Sequence, residues 1–201
     1  MDMKPFTRLS SLACPLPLEN VDTDQIIPAR FMKESRANGY GGFLLYDMRF
    51  DSNGTEKKFI LNNPDAAASE ILVARRNFGA GSSREAAVYA LMDFGFRCVI
   101  APSFGDIFAS NSVNNGLLPA LVSEQDCERL LEIMDAEPKQ MEVDLSAQTI
   151  TVASAIVYFE INPTWKLKLL NGWDDIDLTL AEKSKIEKFR ENYRKHYPWL
   201  G

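Results

Sequence analysis

The chain has 201 residues, with 22 basic against 28 acidic side chains (net charge −6), three cysteines and one histidine. At 46% apolar and 25% charged its composition is that of an ordinary globular chain, long enough to bury a core of its own. Cys14, Cys98, Cys127 and His196 lack the short pairings of a zinc site and the roughly four close thiolates of an iron–sulfur cluster, and the acidic balance excludes a nucleic-acid stripe.

From the N-terminus, MDMKPFTRLSSLACPLPLEN has no continuous apolar run of the kind a signal peptide needs, and no later run approaches the ~20 residues of a membrane span. Unpaired thiols fit a reducing compartment. The expectation is a soluble cytoplasmic protein with no membrane and no nucleic acid as partner. FTRLSSLA and VDTDQIIPARF read as short strands and turns, separated by Pro15 and Pro17. Residues 34–42, ESRANGYGG, read as a polar, Gly-rich loop with freedom to move. Glu70–Arg75 is a short apolar run that suits a buried strand. In REAAVYALMDFG, residues Ala86, Ala87, Ala90, Leu91 and Phe94 share one helical face that stops at Gly95. RCVIAPSF predicts a second buried strand, which makes 70–101 a right-handed parallel crossover.

GDIFASNSVNNG predicts a short helix ending at Gly116, with Ser103 and Asp106 able to cap it and Asn111, Asn114 and Asn115 able to close turns or line a site. Ser123 and Asp126 cap the stripe Cys127, Leu130, Leu131, Met134. QMEVDLSAQTITVASAIVYFEI reads as two strands joined by a polar turn. Thr179 and Glu182 form a T-x-x-E capping box before Ile186, Phe189 and Tyr193, and His196 reads as a solvated side chain at that helix's C-terminus.

The informative segment is RRNFGAGSSREAAVYA, 75–90. A strand runs into a loop with Gly79 and Gly81 and then into a helix starting at Ser82 or Ser83. Glycines allow a sharp turn and close approach to a ligand, and the helix N-terminus favours an anion. Arg84 adds a planar fork that matches a carboxylate. The residues equally spell a capping box, S-x-x-E over Ser82–Glu85, which has no catalytic meaning by itself. The segment is neither a P-loop nor a dinucleotide fingerprint. Local physics therefore reaches a small-anion site of unstated chemistry. Asp22-Thr23-Asp24 can cap a turn, orient an arginine or move a proton.

In this order, VDTDQIIPARF (21–31), ILVARRNFGAGSSREAAVYAL (71–91) and FRCVIAPSFGDIFASNSVNNGLLP (96–119), with a looser LLNGWDDIDLTL (169–180), resemble the small subunits of 3-isopropylmalate dehydratase, or isopropylmalate isomerase, of the aconitase superfamily. The resemblance spans nearly the whole chain. It implies an α/β fold, the swivelling β/β/α domain of aconitase-like proteins with a mixed sheet and flanking helices, as a single domain with a C-terminal helical extension from about residue 164. It implies a hydro-lyase that moves a hydroxyl between neighbouring carbons, from 2-isopropylmalate to 3-isopropylmalate through isopropylmaleate, in leucine biosynthesis. This chain would bind no metal; a [4Fe-4S] cluster would belong to a large-subunit partner, in a heterodimer or heterotetramer acting on a small dicarboxylate.

Carried onto this sequence, Ser82 is the base, Thr23 and Asp24 are the family's active-site T-D pair, and Arg84 is the carboxylate clamp, with Ser83 and Gly81 beside it on the substrate. The loop after Phe31 would choose the substrate, with Arg36 and Tyr40 as candidate determinants. Members usually read G-C-G-S-S-R-E-H, whereas Ala80 and Ala86 stand here for the Cys and His, and Tyr89 for a more usual Trp. Two alternatives remain open: the same role on another acid, such as citraconate/2-methylmalate or homoaconitate, or a non-catalytic anion-binding paralogue.

Overall fold

A computed structural model describes residues 3–197 and Trp199. The elements run β1 (Arg8–Leu16), α1 (Thr23–Ile26), α2 (Tyr46–Arg49), α3 (Pro64–Ala67), β2 (Ile71–Ala74), α4 (Glu85–Phe94), β3 (Cys98–Ala101), α5 (Asp106–Asn114), β4 (Leu118–Leu121), α6 (Glu124–Met134), β5 (Lys139–Asp144), β6 (Thr149–Val152), β7 (Ala155–Tyr158), α7 (Pro163–Asn171), α8 (Asp175–Ala181) and α9 (Lys183–His196). The seven strands form one mixed sheet in the order β4-β3-β2-β1-β5-β6-β7. β1 joins its two halves: Arg8–Ala13 pair antiparallel with β5, and Ala13–Leu16 pair parallel with β2. A bridge between Leu121 and Glu160 links the two outer edges, so the sheet curls on itself.

Strand alternation divides the core into two layers. Ala13, Ile71, Val73, Cys98 and Ile100 face one side, with β5–β7 and the predicted α6 stripe of Cys127, Leu130, Leu131 and Met134. Cys14, Leu16, Leu72, Ala74, Val99 and Ala101 face the other, under α4, Ile26, Phe78 and Phe108. The strand–helix–strand unit at 70–101 is parallel, as its apolar runs require. Ser123 caps α6 through the Asp126 N–H at 3.0 Å.

Several local expectations are corrected. Residues 139–158 form three strands rather than two, because the chain turns again at Ala153, which has φ +50°. Thr179 lies inside α8, donating to the Asp175 carbonyl at 3.0 Å, while Asp174 caps that helix with Asp177. Glu182 precedes α9 without a side-chain cap. The 34–42 segment is tied onto α4: the Tyr40 N–H donates to Asp93 at 2.6 Å, and a Cβ on Gly41 would lie 2.6 Å from the Asp93 backbone. At the other end of the chain, α7 buries Leu169 in the core and its carbonyl accepts from the Phe6 N–H at 2.7 Å, whereas α8 and α9 bury no side chain. His196, exposed, ends α9 as expected.

Candidate active site

The loops that leave the carboxyl ends of β1, β2 and β3 continue the parallel sheet for a few residues. The Asn20 N–H donates to the Arg76 carbonyl at 3.0 Å, the Gly79 N–H to Val21 at 2.7 Å, and the Thr23 N–H to Ala80 at 2.9 Å. On the other side, the Phe78 N–H donates to Ser103 and the Gly105 N–H to Phe78, both at 3.0 Å. Residues 78–81 are therefore held between two neighbours beyond the strands, with Phe78 and Gly79 buried and Gly81 exposed.

Two glycines make this possible. Gly79 has φ +70°, and a Cβ there would lie 2.2 Å from the Phe108 ring; Gly81 has φ +101° and sits against Thr23. Asp22 caps α1 with a reciprocal Gln25 bond, a D-x-x-Q capping box that answers the alternatives left open for this residue. That cap directs Thr23 inward, where its buried hydroxyl donates to the Ser82 carbonyl at 3.0 Å. Asp24 points outward and pairs with Arg84, whose side chain is 19% exposed against 54% for Asp24. A single guanidinium N–H takes that contact, leaving other donors of the fork for a ligand.

The helix does not start at Ser82 or Ser83. Arg84, with φ −126° and ψ 98°, is the N-cap of α4, and the capping box over Ser82–Glu85 is not formed. Glu85 accepts instead from the Asn115 side chain at 2.9 Å. Both serines are exposed, and neither hydroxyl has a hydrogen bond among the described residues. Ser103 likewise does not cap α5; its hydroxyl accepts from the Asn77 N–H at 2.8 Å, and Gly105 is the N-cap. A cleft of about 230 Å³ is bounded by Gly79, Gly81 and Ser82 on one side and by Gly105–Phe108, the start of α5, on the other. The first turn of α5, with its uncapped N–H groups and the Asp106 carboxylate, forms the wall facing Ser82. The sequence places a strand-to-helix turn at S-F-G-D, but nothing local to it says that this turn would face Ser82.

Arg36 is not brought to Ser82. It pairs with Asp93 at 2.6 Å and lies over the Tyr89 ring at 4.4 Å, along the later turns of α4. A wider cleft of about 570 Å³, lined by Phe104, Leu121 and Trp165, adjoins the Ser82 cleft through Asp106. Its charged residues are Asp106 and Glu160, so it is ill suited to a carboxylate. The thiols do not suit an iron–sulfur cluster. Cys14 faces one core layer and Cys98 and Cys127 the other, all three are fully buried, and burial pushes Cys14 and Cys127 up to about 12 and raises Cys98 as well. A cluster needs about four adjacent thiolates, whereas this chain has three, and the sheet separates Cys14 from Cys98 and Cys127. Among the described residues no three His, Cys, Asp or Glu side chains gather as metal ligands.

The family model "Aconitase C-terminal domain" matches residues 3–125, the stretch containing every one of these loops. The 3-isopropylmalate dehydratase small subunit of Phenylobacterium zucineum is 46% identical over 98% of both chains, and that of Pelagibacter ubique 44% over the same shares. The chain belongs to the 3-isopropylmalate dehydratase small-subunit family. The crystal structure of 3-isopropylmalate dehydratase from Methanocaldococcus jannaschii superposes with a TM-score of 0.64 at 24% identity, covering 91% of this chain and 99% of that one, and shares the swivel-domain fold. Against the family motif, the Ala80 change is explained by geometry: residue 80 acts through its carbonyl, which any side chain leaves in place. Ala86, half-buried on the first turn of α4, packs against the Phe78 layer of the core.

Proposed function

We propose that this chain is the small subunit of a two-subunit 3-isopropylmalate dehydratase, interconverting 2-isopropylmalate and 3-isopropylmalate through isopropylmaleate in leucine biosynthesis. The observation that carries the reading is that Thr23 holds the Ser82 carbonyl and Asp24 holds Arg84, two residues further on, beside a cleft that Ser82 itself lines, in a chain whose relatives bear that name over their full length. Ser82 acts as the base. As the alkoxide, its Oγ takes the proton from the carbon next to the hydroxyl-bearing one while the C–O bond breaks and hydroxide leaves, giving the double bond. On rehydration hydroxide adds to the carbon that lost the proton, and the Oγ–H protonates its neighbour and becomes the alkoxide again. A serine hydroxyl is itself a weak base and its alkoxide forms only where it is stabilised, a task we assign to Arg84 and the N–H groups opening α4 and α5. Arg84 binds a substrate carboxylate through the donors not taken by Asp24, while Asp24 holds the fork in place. Thr23 fixes the Ser82 peptide, and Gly81 and Ser83 let the substrate approach the backbone. Arg36, engaged with Asp93, lies outside this group.

The thiols of this chain do not fit the [4Fe-4S] cluster that the aconitase resemblance implies, and we assign that cluster to the large subunit. Heterodimer and heterotetramer remain the candidate assemblies. The reading places the enzyme in the cytoplasm, in keeping with three free cysteines; among the described residues no helix is long and apolar enough to cross a membrane.

The test is co-purification with a large subunit under anaerobic conditions, followed by the ultraviolet absorbance of the unsaturated intermediate with isopropylmalate, citramalate and homocitrate. Ser82→Ala should lower turnover by about 10²–10⁴ and leave the complex intact. Unchanged turnover defeats the assignment of the base. Preference for citramalate or homocitrate moves the substrate to the corresponding acid, and no activity on any of them leaves an anion-binding paralogue.

A further inference from the structure

A second cavity, of about 330 Å³, opens between the N-terminal segment, α4 and the end of α5, and its charged lining is Lys4, Arg36 and Arg97. Arg97 is the informative member. Its N–H donates to the Glu70 carbonyl at 2.8 Å and its carbonyl accepts from Leu118 at 3.0 Å, which fixes the start of its side chain at the entry to β3. Its Nε is buried and has no hydrogen-bond partner among the described residues. Buried polar groups are almost always paired, and this unpaired donor belongs to a guanidinium-bearing residue that forms part of the cavity wall. Lys4 and Arg97 form no ion pair among the described residues, and Arg36 uses one donor on Asp93 while the Tyr89 ring holds it flat. The neighbouring carboxylates are committed, Asp93 to Arg36 and the Tyr40 N–H, and Glu85 to Asn115.

We propose that this cavity is a second ligand site, for a small dicarboxylate without an ammonium group, anchored by Arg97. Two guanidinium forks and an ammonium suit planar carboxylates. Met3, Met92 and Tyr89 line the same cavity and would cover a carbon skeleton that inorganic phosphate lacks. An ammonium on the ligand would face three cations, which selects against amino acids. The site is separate from the Ser82 cleft. That cleft meets α5 at Gly105–Phe108, whereas this cavity meets it at Asn114–Gly116. The helix between them has nine residues, about 13 Å of rise.

The experiment is a titration of the full chain, labelled at its methionine methyl groups, with glutarate, glutamate and inorganic phosphate, followed by NMR. Glutarate should shift the Met3 and Met92 signals saturably, with glutamate and phosphate weaker by about tenfold or more. Arg97→Gln should raise the glutarate Kd by about tenfold or more, while Arg84→Gln leaves it within about twofold. Lys4→Gln, at an exposed position, should raise it by about threefold and serves if the Arg97 variant does not fold. The site is overturned if Met3 and Met92 do not respond, if their response is lost in Arg84→Gln but kept in Arg97→Gln, or if Lys4→Gln binds as the parent does. Phosphate or glutamate binding as tightly as glutarate overturns the ligand class.

Discussion

The loop around Ser82 and the C-terminal pair α8–α9 are both polar and exposed, and they are held in opposite ways. Between Phe78 and Ser82 the backbone is bonded on one side to Val21 and Thr23 and on the other to Ser103 and Gly105, over the packed Phe78 and Phe108 rings. α8 is tied to α7 through Asp175, which accepts from the buried Lys168 at 2.8 Å. The rest of α8–α9 relies on local bonds: the Asp174 cap, the Lys185–Glu182 pair at 2.6 Å, and the stacked Phe189 and Tyr193. Phe189 is 68% exposed and Ile176 equally so. Exposed serines can therefore be placed with the accuracy that proton transfer needs, because their peptides borrow rigidity from the core. An exposed aromatic stripe without such backing adds little to the stability of the fold.

The largest expected effect tests the rigid half of that comparison. Gly79→Ala puts a methyl into the Phe108 ring at a left-handed φ, and should cost about 3 kcal/mol in urea unfolding. Gly42→Ala, where a Cβ meets nothing within 4 Å, should stay within about 1 kcal/mol. A Gly79 variant as stable as the Gly42 variant would show that the loop is not clamped. Next comes Thr23→Val, which removes the bond to the Ser82 carbonyl while keeping the volume; we expect a loss of about 1–2 kcal/mol together with reduced turnover of the assembled enzyme. Stability lost with turnover intact would separate Thr23 from the positioning of Ser82.

Acid should produce a smaller, graded effect. The Arg30 guanidinium holds Asp47 below its ordinary value, the Thr55 and Asn53 N–H groups do so for Asp51, and the Ala147 N–H, followed by Arg8, for Asp144. Each carboxylate binds protons less readily folded than unfolded, so its contribution is complete above about pH 4 and disappears as pH falls through the lowered folded value. Urea midpoints measured down to pH 3 should decline, and less steeply for Asp144→Asn. An identical slope would remove Asp144 from the account. The smallest effect is expected at the other pole of the comparison: ending the chain after Ala181, or Phe189→Ser, should move unfolding by no more than about 0.5 kcal/mol. A larger loss would mean that α9 supports the core.

Two capping patterns show where reading the chain succeeded and where it could not. S-x-x-E at 82–85 and T-x-x-E at 179–182 have equal local claims, and neither forms, while the Ser123–Asp126 cap does, as does a cap at Asp22, which the sequence offered as one of several roles. A cap is one turn long, but its formation depends on whether the preceding chain is free to bend back. Before α4 it is not free, because Thr23 holds the Ser82 carbonyl from 59 residues away.

What the sequence by itself determined is local: the alternating and continuous apolar runs that became β1, β2 and β3, the α4 and α6 stripes, and a Gly-Ser-Arg turn at the end of a buried strand; β4 and the helical turn α1 inside VDTDQIIPARF were not among them. Its census of one histidine and three scattered cysteines also separated this chain from imidazole and cluster chemistry, and the structure adds that the sheet parts Cys14 from the other two thiols. Only the tertiary structure decided that the helix begins at Glu85 and leaves two serines free, that Gly79 fits because Phe108 fills the space a Cβ would need, and that Arg36 joins Arg97 instead of Ser82. The physical reason is range. Periodicity and caps act within a turn or two, whereas these three outcomes depend on how α4 and α5 pack across a sheet whose strands are distant in the chain.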